Sequence, residues 1–187
     1  MVEKFGPVFH HIFSLKEQMS LVQGAPMDVP ELSVEQAFSH ISSPKNETFA
    51  RACLAGAYLY ADHWDTAHRI AQELPTKEGS YWHAIIHRRE PDYWNSKYWF
   101  RQVAHHPVFD ELTARVQKLS KNPVFQQWGD QVLTEGRWNP FRFVDLCEDA
   151  VQQKGDLEAF CLAVQHQEFL LLFEYCYSRA VGKPGRR

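Results

Sequence analysis

The sequence has few features that would place the protein in a membrane or in an oxidising compartment. Its longest apolar run is Phe169 to Phe173, whereas a membrane-spanning helix needs about 20 apolar residues. The N-terminus has no uninterrupted apolar segment of the kind found in signal peptides. The four cysteines stand singly, without the C-x-x-C pair of a zinc ribbon or redox site. We therefore expect a soluble, cytoplasmic protein with no membrane partner and with reduced, buried cysteines.

Neither positive nor negative residues predominate strongly in the sequence. Twenty Lys and Arg stand against 23 Asp and Glu, a net charge of −3, so no overall field attracts nucleic acid, and we expect no nucleic-acid partner. The sequence contains no Gly-rich phosphate loop, no G-x-S-x-G elbow and no D-x-D-x-D-G calcium loop. Any anion site must therefore be local, and the commonest nucleotide, serine-hydrolase and calcium signatures are excluded.

Strand patterns are scarce, and helical patterns recur along the chain. Alternation with a period of two is nearly absent, while apolar residues return every three or four positions. A chain of 187 residues with 44% hydrophobic residues has the size of one domain. We predict a single all-α domain over residues 1–181, a bundle of antiparallel helical hairpins, with residues 182–187 as a flexible tail.

Capping residues and prolines mark where the predicted helices begin and end. Ser33 and Gln36 form a capping box, and Asn46 and Asp92 are N-cap residues that precede helical patterns. Prolines end several segments because proline removes an amide donor. The predicted helices cover residues 6–22, a short stretch from 33, 46–60, 62 or 63 to 74, about 76–90, 92–104, 108–119, 123–134, 139–153 and 157–181.

A weak internal repeat lies in the middle of the chain. Ala55 and Ala67 are 12 residues apart, as are Ala84 and Ser96. Small residues at this spacing resemble the tetratricopeptide pattern, in which two helices cross closely. The pattern occurs twice, whereas a solenoid needs about three repeats. We therefore predict tetratricopeptide-like hairpin packing over residues 51–107, and no solenoid.

Residues 81–100 are the chemically densest part of the sequence. Seven of these twenty residues are aromatic, against 14% of the whole chain, and charged or polar residues stand between them. The surrounding stretch, with the pattern GSYWHxIxHRREPDYxNxKYWFRxV from Gly79, resembles a family of uncharacterised, mostly bacterial proteins. The resemblance covers residues 65–107, including Asp65 and His68. It implies no activity; it implies that this segment is the signature of the family.

Two histidines in this segment have the spacing of metal ligands. His83 and His87 are four residues apart on one predicted helix, so both imidazoles project from the same face and can share a divalent transition metal. The metalloprotease motif H-E-x-x-H is not met, because an alanine replaces its glutamate. His68 is a third ligand if its helix packs beside theirs. Two histidines hydrogen-bonded in a polar seam, without metal, are the favoured explanation of the spacing, because such pairs arise often on helices. Other candidates for the third ligand are Glu90, Asp65 and His63.

The same segment carries the residues expected to hold an anion. Arginine offers a bidentate fork of donors, and tryptophan offers a stacking face. The alternative is a structural ion network in which Arg88 or Arg89 pairs with Glu90, Asp92 or an acid of another helix. The candidate ligand-binding residues are Trp82, Arg88, Arg89, Asn95, Lys97, Trp99 and Arg101.

Two functions fit these residues, and metal content distinguishes them. The first, slightly favoured, is a binding or scaffold module that holds a small anionic ligand or a peptide on residues 81–101. The second is a metal-dependent, hydrolase-like enzyme with a His68, His83 and His87 site, in which the ion acidifies a water molecule. In that enzyme Arg88 steadies anionic charge, and the candidate catalytic bases are Glu90 and Asp92. The oligomeric state is left open.

Overall fold

A computed structural model describes residues 2–41 and 43–182 and confirms the all-α class. The buried apolar side chains of the described residues form one core. Residues 183–187 of the predicted tail lie outside the described part. None of the described helices combines the length and apolar content needed to cross a bilayer. A 3₁₀ turn, Val2–Phe5, precedes α1 (Pro7–Ser14), α2 (Val34–Ala37), α3 (Glu47–Tyr60), α4 (Trp64–Gln72), α5 (Lys77–Arg89), α6 (Tyr93–Val103), α7 (Val108–Leu119), α8 (Gln126–Val132), β1 (Leu133–Thr134), β2 (Arg137–Trp138), α9 (Pro140–Gln153) and α10 (Gly155–Ala180).

Side-chain caps begin five of the ten α-helices that the structure describes. Ser33 and Gln36 form the expected reciprocal capping box at α2. The Asn46 side chain accepts a hydrogen bond from the Phe49 amide, and Asp92 accepts one from the Asn95 amide. These oxygens satisfy amides that have no partner inside the first helical turn.

The first predicted helix is wrong in its length. Helix α1 ends at Ser14, whose hydroxyl donates to the His11 carbonyl, and the chain then runs irregularly to α2. Hydrogen bonds from side chains of the helices hold the irregular segment in place. The Tyr60 hydroxyl donates to the Lys16 carbonyl, and the Arg89 Nε donates to the Ser20 carbonyl. These side-chain bonds satisfy carbonyls that a helix would have satisfied internally.

A small hairpin replaces the end of the predicted helix 123–134. Leu133 pairs with Trp138, and Thr134 pairs with Arg137. Glu135 and Gly136 connect the strands with φ values of 51° and 73°, the left-handed conformation that a tight two-residue turn requires. Strands this short give no alternating pattern, so the hydrophobic spacing of the sequence did not reveal them.

Helix α5 is buried on nearly all sides, between α3, α4, α6 and α10. The Ser96 hydroxyl on α6 donates to the Ala84 carbonyl at 2.8 Å, which places these two small residues where the helices pack closely, as predicted. On another side, the Trp82 indole packs against Phe169 and fills the space beside Gly56. A Cβ on Gly56 would lie 2.7 Å from the Trp82 ring. The tetratricopeptide resemblance stays a prediction.

Two buried ion pairs connect α5 to the rest of the fold. Arg88 binds Glu168 of α10 at 2.5 Å, and both side chains are fully buried. The Tyr81 hydroxyl donates to the other oxygen of the same carboxylate. Arg89 binds Asp62, in the turn between α3 and α4, at 2.7 Å. Successive residues of a helix point about 100° apart, so the two pairs hold α5 in two directions and fix its rotation about its axis.

We predict that Arg88→Met destabilises the protein by about 3–5 kcal/mol, because it leaves the Glu168 carboxylate buried without its partner. Adding Glu168→Gln removes that charge and keeps an oxygen for the Tyr81 hydroxyl. The double variant should therefore be more stable than Arg88→Met alone. Urea unfolding measures both differences, and an Arg88→Met variant as stable as the wild type would show that the pair does not hold α5.

Candidate metal centre

Three imidazoles meet between α4 and α5. His68 Nε2 lies 2.8 Å from His83 Nε2, and the rings of His83 and His87 stack with their centroids 4.8 Å apart. One ring nitrogen from each of the three histidines lies within 4.8 Å of the others. The structure thus brings together the three residues that the sequence nominated as a ligand set.

Local geometry explains how the three rings converge. His83 and His87 are one helical turn apart on α5, so their side chains leave the same face. Helix α5 folds back beside α4 after a short connection, which brings His68 of α4 next to that face. The connection is tight at Gly79, where a Cβ would lie 2.3 Å from the Leu74 carbonyl oxygen. Glycine at this position therefore allows the close approach.

Helix α6 covers the other side of the imidazoles. The Trp99 indole stacks on the His83 ring, with centroids 3.9 Å apart and planes 18° from parallel. The Asn95 carboxamide nitrogen lies 3.1 Å from His87 Nε2. Asn95 and Trp99 are four residues apart on α6 and match the spacing of His87 and His83. Both were predicted as ligand-binding residues, and the structure places both at the histidine cluster.

A carboxylate orients one of the three rings. Glu90 Oε2 lies 3.0 Å from His87 Nδ1, close enough to accept a hydrogen bond from its N–H. With Nδ1 carrying that proton, the lone pair of His87 is on Nε2. Asp92 is less close, at 3.8 Å from His87 Nδ1, and its side chain is half exposed. Its carboxylate caps α6.

Burial disfavours the charged form of two of the three imidazoles. Burial, together with the neighbouring His68 and His87, lowers the pKa of His83 to about 3. Burial also lowers the pKa of His68, against the opposite effects of Glu90 and Asp65. The hydrogen bond from His87 lowers the pKa of Glu90. The result is that His68 and His83 are neutral and Glu90 is ionised at neutral pH, which are the protonation states in which these groups bind metal.

An open cleft of about 660 Å³ adjoins the cluster. His83 and His87 are 2% and 7% exposed, while His68 is half-buried and lies in the cleft wall. Solvent therefore reaches the cluster at His68. The cleft is lined by Asp65, His68, Arg69, Gln72, Glu73 and Glu90. Arg69 and Gln72 were not singled out from the sequence, where adjacency to His68 was the only signal for Arg69.

Several residues of the expected anion site lie elsewhere. Trp82, Arg88 and Arg89 are buried and present no group to a ligand in solvent, because α5 is enclosed by other helices. The two arginines pair with Glu168 and Asp62, acids of other parts of the fold, and not with Glu90 or Asp92. This corrects the expectation that they hold an anion, including the role of Arg88 beside a metal.

The remaining candidates are dispersed around the cluster. Lys97 forms a salt bridge with Asp145, and the Arg101 guanidinium lies over the Phe141 ring. His63 Nε2 lies 2.6 Å from the Met27 carbonyl oxygen, away from the three imidazoles. Of the alternative third ligands, Glu90 and Asp65 lie in the cleft wall.

No protein-family model, curated protein or solved structure matches the chain. The resemblance to uncharacterised bacterial proteins therefore stays a prediction, and the site alone carries the functional argument.

We predict that the metal-free protein loses stability as the pH falls below about 6.5. In the unfolded chain His83 is protonated near that pH, whereas in the folded chain its pKa is about 3, so acid favours the unfolded state. His83→Gln should be less stable at neutral pH but should lose less on acidification. Thermal unfolding in a chelator between neutral pH and about pH 4.5 tests this, and parallel losses in both proteins would contradict it.

Proposed function

We propose that the protein binds a divalent transition metal, best matched by Zn²⁺, through Nε2 of His68, His83 and His87. Zinc accepts imidazole nitrogens at about 2.0–2.1 Å in tetrahedral geometry, which places neighbouring ligands about 3.3 Å apart. The Nε2 atoms of His68 and His83 are 2.8 Å apart, and one ring nitrogen of each histidine lies within 4.8 Å of the other two. To bind one ion, the side chains must rotate until their three Nε2 atoms surround it.

The convergence of three imidazoles, one of them oriented by Glu90, carries this proposal. A histidine ligand almost always donates its second ring proton to a carboxylate, a carbonyl or water, and Glu90 is such an acceptor for His87. Without metal, the Asn95 carboxamide lies near the Nε2 of His87 that would face the ion. The carboxamide must turn away from this nitrogen when the metal binds, and it can then form a hydrogen bond to a water molecule or other small ligand on the metal.

We further propose hydrolase-like chemistry at this ion. Three protein ligands beside an open cleft are typical of catalytic zinc sites, which keep the fourth position for water and lower the pKa of that water to near 7. In this proposal Glu90 orients His87 and does not act as the general base, and Asp92 serves as a helix cap. The binding-module alternative is less well supported, because Trp82 and both arginines are buried.

We predict that protein purified without a histidine tag takes up one Zn²⁺ or Co²⁺ per chain. His68→Ala should abolish tight uptake, since it removes the most accessible of the three ligands, while circular dichroism shows that the fold is retained. His105→Ala, at an exposed histidine outside the cluster, is the matched control and should bind as the wild type does. Elemental analysis after dialysis gives the stoichiometry. Equal uptake by the His68→Ala variant would place the ion elsewhere.

We also predict that Glu90→Gln weakens metal binding about 10- to 100-fold, because the His87 ring loses its anionic acceptor. Glu73→Gln removes the same charge from the same cleft without touching His87, and should weaken binding much less. Competition with a chromophoric chelator measures both affinities. Equal losses in the two variants would mean that Glu90 acts only through the charge of the cleft.

A further inference from the structure

We infer that the cleft beside the three histidines binds a small ligand with a singly charged oxyanion, of the carboxylate class, held between the metal and Arg69. This inference rests on the proposed metal site and adds the class of ligand to it. The argument uses the position of Arg69, the pairing of the other charges in the cleft, and the balance of charge once an ion is present.

Arg69 is placed to meet a ligand of the metal. It follows His68 directly on α4, and both residues line the same cleft. Its side chain is exposed. Among the described side chains of residues 4–41 and 43–182, no carboxylate oxygen lies within 4.0 Å of its guanidinium. Its donors are therefore available, and a guanidinium can bind a carboxylate through two parallel hydrogen bonds.

Two of the three carboxylates in the cleft wall already have partners, and the third is Asp65. Glu73 binds Arg51 at 2.5 Å, and Glu90 accepts from His87. Asp65 lies one helical turn before Arg69 in the cleft wall and attracts it without contacting it. Asp65 is thus the group with which an incoming anion must compete.

The balance of charge decides when an anion binds and of what kind. Without metal, Asp65, Glu73 and Glu90 outweigh Arg69 and the Arg51 that neutralises Glu73, by one negative charge. A divalent ion converts this to one positive charge. An anion should therefore bind only after the metal, and a single negative charge neutralises the cleft, whereas a second one meets repulsion from Asp65 and Glu90.

The experiment uses the full-length protein loaded with Co²⁺, whose visible absorption reports a change of ligand at the metal. Acetate is the probe, and inorganic phosphate, largely a dianion above pH 7, is the second arm. We expect acetate to shift the spectrum, phosphate to bind less tightly, and Arg69→Ala to weaken acetate binding about tenfold. Arg69→Lys should recover only part of this, since an ammonium lacks the bidentate fork.

Controls separate this inference from the metal site. Arg69→Ala should bind Co²⁺ at least as tightly as the wild type, because it removes a positive charge. Arg115→Ala, at an exposed arginine of α7, should bind acetate normally. Equal acetate affinity in wild type and Arg69→Ala, or tighter binding of phosphate than of acetate, overturns the inference and leaves the metal site standing. Failure to take up Co²⁺ overturns both.

Discussion

The rotation of α5 about its own axis is the constraint on which the candidate centre depends. Arg88 and Arg89 reach Glu168 and Asp62 in two different directions. If the helix turned about its axis, at least one of these buried carboxylates would lose its guanidinium partner. His83 and His87 lie on the same helix, so the direction in which their side chains leave it is fixed once its rotation is fixed. The ion pairs, remote from the cleft, thus set where the imidazoles point.

Burying these charges is costly in free energy, and packed apolar side chains of similar volume are often at least as stable. Apolar replacements, however, would tolerate several rotations of α5. The paired guanidiniums accept one arrangement, in which Arg88 also lies 4.6 Å from the Phe143 ring. The same enclosure keeps His83 neutral, since a buried imidazolium would find no acid beside it. The orientation of His83 and His87 and the neutral state of His83 therefore have a common origin in the burial of α5.

Local features of this protein were readable from its sequence, and long-range ones were not. Asn46 and Asp92 act on amides three residues away, so their capping roles follow from the sequence alone. The spacing of His83 and His87 fixed their common face, and a hairpin placed His68 beside them. The partner of Arg88 lies 80 residues further along the chain, and nothing in the sequence distinguishes an arginine aimed into the core from one aimed at solvent. The predicted anion site consequently included three residues that are buried, Trp82, Arg88 and Arg89, while Arg69 was overlooked.

Anomalous diffraction at the zinc edge, from crystals of the protein soaked in Zn²⁺, tests the central claim most directly. The account predicts one strong peak about 2.0–2.1 Å from Nε2 of His68, His83 and His87, with Glu90 still on Nδ1 of His87 and a further ligand facing the cleft. A fully soaked crystal without that peak, in which His83 and His68 remain hydrogen-bonded to each other, would contradict it.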